Sequence, residues 1–223
     1  MTGLRYVYAV CRPLGAPLQA ELTGVGGAPA ALLHHHGLVA VVSTVPEDDF
    51  CEEALQARMA DRDWVAAMAR AHEGVIDALT TVTTPLPLRP ATVCPDDSGV
   101  RTMIEARGDD FRHTLDRLEG RVEWGVRAYT ESGPGGETSA RALHERLARH
   151  AEDVRLHAPP TPARTAAPGR TVLDAAYLVS RADSERFVEL VDRAKDDSPG
   201  IRVELFGPWA AYSFTGEFTH EEG

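Results

Sequence analysis

Three consecutive histidines, His34, His35 and His36, form the densest run of potential metal ligands in the sequence. Adjacent side chains on a strand point to opposite faces. Only His34 and His36 could then meet one ion, and a third ligand would have to come from elsewhere. An exposed hairpin end is the simpler reading, and no metal is expected. Arg70-Ala71-His72-Glu73 sets an imidazole beside a carboxylate. Ile76 stands where the second histidine of a zinc-binding H-E-x-x-H helix would be needed. His72 falls on an apolar helical stripe, which suits a core histidine with one satisfied hydrogen bond better than a catalyst. Arg70 and Glu73 flank that stripe and are expected to form structural ion pairs with Arg89 or Glu123. Gly24-Val25-Gly26-Gly27 lacks the G-x-G-x-x-G spacing, and no Walker lysine follows it. Ser43 and Ser213 are not in a G-x-S-x-G context. Cys11, Cys51 and Cys94 carry no local catalytic signature. No catalytic residue and no cofactor is expected.

The elements that would position these groups are mixed helix and strand. Leu4 to Cys11 reads as a buried strand that stops at Pro13. Leu14 to Ala28 is glycine-rich loop with room for one short helical turn. Ala30 to His35 and Leu38 to Val45 flank Gly37 as a hairpin. One helix is expected over Asp48 to Ala57. A second, capped by Asp61, carries Trp64, Met68, His72, Val75 and Leu79 at helical spacing and ends before Pro85. Leu86 to Pro90 must be extended, because each proline pushes its predecessor out of the helical region. Val100 to Ala106 and Asp109 to Leu118 read as two short helices. After Gly120, Arg121 to Thr130 reads as a strand. Gly133 to Gly136 is a turn, followed by a helix whose inner stripe runs through Ala140, Leu143, Leu147, Ala151 and Val154. Ala158 to Gly169 is a proline-rich loop. Thr171 to Arg181 is a strand, Asp183 caps a helix over Ser184 to Asp196, and Ile201 to Leu205 alternates as a final strand. Gly207-Pro208-Trp209 reads as a terminal bend, with a frayed acidic tail over Thr215 to Gly223.

These elements predict an α+β protein of two domains, residues 1–118 and 119–223. Each is a small, largely antiparallel sheet with helices on one face, in a modified ferredoxin-like arrangement. Hydrophobic residues make up 43% of the 223 residues, enough for a sizeable core. The formal net charge is −11. So acidic a chain is repelled by phosphate backbones and anionic lipid, which argues against nucleic acid as a partner. No apolar run approaches the roughly 20 residues of a membrane helix. The unpaired cysteine count and the absence of a signal-peptide pattern point to a reducing, cytoplasmic setting.

Trp209, Tyr212 and Phe214 close together near the chain end admit two readings. They form an interface, to which aromatic residues bring area and a polar handle, or they pack inward between the two blocks.

Seven segments, in order, resemble the gas vesicle GvpF/GvpL family: Tyr6–Val10, Leu38–Pro46, Arg70–Glu73, Pro87–Val93, Gly120–Val126, Ala176–Val179 and Gly207–Phe214. The last four are similar to the family's P-L-R-F-G-T-V, G-x-x-E-W-G-V, A-Y-L-V and G-P-W-P-P-Y-S-F stretches. Pro90 and Ala91 stand in place of the apolar residue and glycine of the first, and Ala210 and Ala211 in place of two prolines of the last. The resemblance implies a two-domain accessory protein of gas vesicle formation that contacts the small hydrophobic shell protein GvpA and other accessory proteins, with no catalysis. It singles out Arg70, His72, Glu73, Arg89, Glu123, Trp124, Gly207, Pro208, Trp209, Tyr212 and Phe214 as motif or interaction residues. The competing expectation is a small-molecule-binding protein or enzyme on the same scaffold, with a pocket ringed by Arg70, His72, Glu73, Arg89 and Glu123.

Overall fold

A computed structural model describes residues 3–15, 22–130, 135–158, 169–197 and 200–216. The chain divides into two compact units. One runs to Glu119 and takes in Thr215 and Gly216; the other is Gly120–Phe214.

In the first unit, strand β1 (Leu4–Cys11) is buried on both sides, every residue from Tyr6 to Cys11 being inaccessible to solvent. It pairs antiparallel with β3 (Leu38–Val45), which forms a hairpin with β2 (Ala31–His35). On its other edge β1 meets two short strands, β4 (Leu86–Pro87) and β5 (Val93–Cys94). The sheet order is β2-β3-β1-β4. Pro87 can lie there because an edge strand leaves its missing N–H outside the ladder.

Four helices serve this sheet: α1 (Glu47–Phe50), α2 (Glu52–Arg58), α3 (Arg62–Thr80) and α4 (Asp97–Leu118). The Asp61 side chain caps α3 by accepting from the N–H groups of Asp63 and Trp64. Met68, His72, Val75, Ile76 and Leu79 form its buried stripe. That stripe covers the Tyr6 and Tyr8 face of the sheet, where His72 meets both rings. Val100, Ile104, Phe111 and Leu115 of α4 cover the opposite face with Val7, Val10, Leu33 and Ala40. Helices thus lie on both faces of this sheet, and not on one. The cause is legible in β1, which has no polar face to leave in water.

Two helix boundaries also differ from expectation. The helix over residues 48–57 is broken at Cys51, whose extended backbone (φ −65°, ψ 162°) separates α1 from α2. The two short helices before Gly120 are one, because α4 runs straight through Gly108. A helical glycine costs about 1 kcal/mol, less than the continuous apolar stripe around it gains by burial.

The second unit contains β6 (Arg121–Thr130), α5 (Gly135–Ala148), β7 (Asp153–Leu156), β8 (Arg170–Ser180), α6 (Ser184–Asp197) and β9 (Arg202–Trp209). The succession β-α-β-β-α-β with antiparallel order β7-β8-β6-β9 is ferredoxin-like. Both helices pack on one face, where Leu143, Leu147, Phe187 and Val191 meet Val122, Trp124, Val126 and Tyr177. The sequence missed β7. Val154, expected on the stripe of α5, instead pairs with Tyr177 in a four-residue edge strand. Asp183 immediately precedes α6. It ends a 3-10 turn (Arg181–Asp183) capped by Ser180, whose hydroxyl accepts the Asp183 N–H. Residues 133 and 134 and most of the proline-rich loop lie outside the described residues. Thr215, expected in a frayed tail, is buried.

Candidate functional site

Two of the motif residues, His72 and Glu123, lie in buried polar clusters, one in each unit. In the first, the Tyr6 hydroxyl accepts the Ala91 N–H at 3.0 Å and lies 3.0 Å from Nδ1 of His72. Burial holds the His72 pKa down at about 4, partly offset by a backbone hydrogen bond at Leu88. His72 is therefore a neutral core group at physiological pH.

Tyr8 builds the rest of this cluster. Its hydroxyl donates to Ser43 Oγ at 2.9 Å and accepts the Val25 N–H at 2.8 Å, and Ser43 donates onward to the Pro29 carbonyl at 2.9 Å. A Cβ on Gly24 would lie 2.0 Å from the Tyr8 oxygen. The glycine at position 24 thus lets the backbone approach a tyrosine closely. Burial pushes the Tyr6 and Tyr8 hydroxyls, and the Cys11 thiol (up to about 12), away from ionisation.

The second cluster joins two motifs distant in the chain. Glu123 is buried on β6. Its carboxylate accepts the N–H of Ser213 at 2.8 Å and the Ser213 hydroxyl at 2.7 Å. Ser213 sits in a 3-10 turn (Tyr212–Phe214) that follows β9. Burial raises the Glu123 pKa, and the two Ser213 bonds and nearby His157 oppose that rise. Phe214 is fully buried with the Arg155 guanidinium over its ring at 5.8 Å. Trp124 packs into the helix-side core and donates from Nε1 to Ser184 at 3.2 Å.

Between these anchors, Gly207 and Pro208 are not a terminal bend. They form a bulge inside β9, where Glu123 pairs with Trp209 and Gly125 with Phe206. Gly207 has φ 113°, and a Cβ there would meet the Glu123 carbonyl oxygen at 2.8 Å. The Gly207–Pro208 peptide is cis. The bulge turns Trp209 outward, 50% exposed, with its ring 6.5 Å from that of Phe206. The aromatic end therefore divides its labour: Phe214 packs inward, Tyr212 is half-buried and Trp209 faces solvent.

The five residues from which the sequence built a pocket have different environments. Arg70, Glu73 and Arg89 are exposed, His72 is buried against Tyr6, and Glu123 belongs to the second unit, held by Ser213. Sequence reasoning missed Tyr6, Tyr8 and Ser213 as partners. Their hydroxyls were visible, but nothing in the spacing tied them to His72 or Glu123.

Two surface features of the first unit were not anticipated. An apolar groove of about 460 Å³ is lined by Leu4, Phe50, Leu55, Met59 and Val93, and Met59 is 58% exposed. At the hairpin turn, His36 takes φ 46° and its ring stacks on His35 with centroids 4.1 Å apart. The neighbouring pair that meets is therefore His35 and His36, and not His34 and His36. Among the described residues no helix is long and apolar enough to cross a membrane.

The sequence matches the family described as "Gas vesicle synthesis protein GvpL/GvpF" over residues 4–136 and 135–216. It is 46% identical to gas vesicle protein L of Streptomyces sp. (strain CB03234), over 98% of this chain and 96% of that protein. Gas vesicle protein F of the same strain is 25% identical, over 94% and 98% of the two chains. The fold is that of the crystal structure of GvpF from Anabaena sp. PCC7120, with a TM-score of 0.78, 17% identity and 99% of each chain covered.

Proposed function

From membership of the GvpL/GvpF gas vesicle synthesis family, to which this chain belongs, we propose that it acts by docking onto other gas vesicle proteins and not by transforming a substrate. The family gives the chain a gas vesicle role; docking is inferred from how its motif residues are used. The observation that carries the reading is the pairing of the buried motif groups His72 and Glu123 with other motif residues. His72 is locked to Tyr6 and Glu123 to Ser213, both in buried clusters, while the same closing motif turns Trp209 outward on an edge strand. Buried groups with satisfied hydrogen bonds hold a shape. A half-exposed tryptophan beside a second aromatic is the kind of anchor on which interface energy concentrates.

The partner proposed first is the shell protein GvpA. A shell subunit that is apolar on its gas-facing side would aggregate before assembly. A soluble acidic protein presenting Trp209 would cover that surface and deliver the subunit to the growing wall. Other accessory proteins are proposed as further partners, and the cytoplasm and the vesicle surface as the places of action. The higher identity to protein L than to protein F of one strain favours the L branch.

Vesicle formation in cells lacking this chain tests the reading, followed by fractionation of a strain rescued with the full chain. Loss of vesicles without the chain, and their return with it, is the expected result. Normal vesicles in its absence would overturn the assembly role.

A further inference from the structure

Three potential metal ligands meet at the hairpin turn, and the docking reading leaves them unused. On a regular strand, His35 and His36 would point to opposite faces. The positive φ of His36 undoes that alternation, and the two rings stack with an interplanar angle of 15°. Glu105 reaches the same point from α4, with its Oε1 2.7 Å from His35 Nε2. One ligand atom from each of the three residues lies within 4.8 Å of the other two.

From this we propose that His35, His36 and Glu105 together hold one divalent transition-metal ion. Two imidazole nitrogens and one carboxylate oxygen are a donor set suited to zinc and its neighbours. Bonds of about 2.0–2.2 Å place tetrahedral ligand atoms about 3.3 Å apart. The Glu105 side chain is half exposed, which leaves it room to adjust toward that spacing. A polar recess of about 220 Å³ opens beside the site between His36, Glu105, Gly108 and Asp109, leaving room for water as the remaining ligand. Arg112 lies in the same recess, but its guanidinium is engaged by the His36 carbonyl and Asp109, where it orients the turn. The net charge of −11 favours a cation over an anion at this surface. Binding would tie the hairpin to α4, two elements 70 residues apart in sequence.

The test is equilibrium dialysis of the full chain, free of any affinity tag, against zinc, with cobalt as a spectroscopic probe. Expected is one equivalent bound with Kd below about 100 μM and a higher thermal midpoint in its presence. His36→Asn, which keeps a residue tolerant of positive φ, and Glu105→Gln should each weaken binding by at least about tenfold. His34→Asn should leave binding unchanged. Absence of saturable binding in the folded wild-type protein would overturn the site. So would an equal loss in His34→Asn, or full affinity in Glu105→Gln.

Discussion

The Glu123 carboxylate accepts both the N–H and the hydroxyl of Ser213, across 90 residues of chain. That single residue pair fastens the closing turn, with buried Phe214, onto strand β6. It also fixes the end of the segment from which Trp209 projects. An acidic side chain that looked in sequence like a partner for arginine is thereby a structural latch.

Breaking the latch should cost stability. Ser213→Ala removes the hydroxyl donor to a buried carboxylate, and hydrogen bonds to charged groups contribute about 1.5–3 kcal/mol. Urea unfolding should show a loss of that size for Ser213→Ala. An unchanged midpoint would mean that the Ser213 N–H and buried Phe214 hold the turn without the hydroxyl.

His72 should make stability fall in mild acid. Its folded-state pKa, about 4, lies below its ordinary value of 6.5. As pH drops through 6.5, the unfolded chain gains a proton that the native chain refuses until about pH 4. The stabilisation is complete above 6.5 and is lost across that window. At 1.36 kcal/mol per unit the loss approaches roughly 3 kcal/mol. Denaturant melts at several pH values should show this slope, and His72→Gln should flatten it.

Two backbone positions should respond in opposite directions. Ala91 has φ 66° where the family's stretch carries glycine. Ala91→Gly relieves left-handed strain and should stabilise the chain by about 1 kcal/mol. Gly207→Ala places a Cβ 2.8 Å from the Glu123 carbonyl oxygen at φ 113°. It should destabilise by about 1–3 kcal/mol. Thermal unfolding of both variants beside the wild type measures the pair.

Much of the fold could be read along the chain because local rules agree there. The run Leu4–Cys11, the hairpin ending at Val45, and α3 with its Asp61 cap are each specified by period, cap and breaker together. Legibility failed where tertiary contacts outweighed local signals. Gly108 did not end α4, because the stripe through Ile104 and Phe111 continues past it. Strand β7 went unseen, because four residues with Val154 in helical phase look like the end of α5. The bulge at Gly207 exists only through pairing with β6. At the candidate site, the burial of His72 followed from its place on an apolar stripe. The Tyr6–His72 and Glu123–Ser213 partnerships join residues 66 and 90 positions apart, and no single-sequence pattern encodes such pairings.

Docking through an outward aromatic is tested most directly by capture of co-expressed shell protein on the immobilised full chain, wild type against Trp209→Ala. Thermal unfolding of both proteins serves as the control for folding. The expected result is stoichiometric capture by the wild type, with capture by the equally stable variant reduced by about tenfold or more, the scale of an interface hot spot. Equal capture by the two proteins would contradict the role given to Trp209, and no capture by the folded wild type would contradict docking onto the shell protein itself.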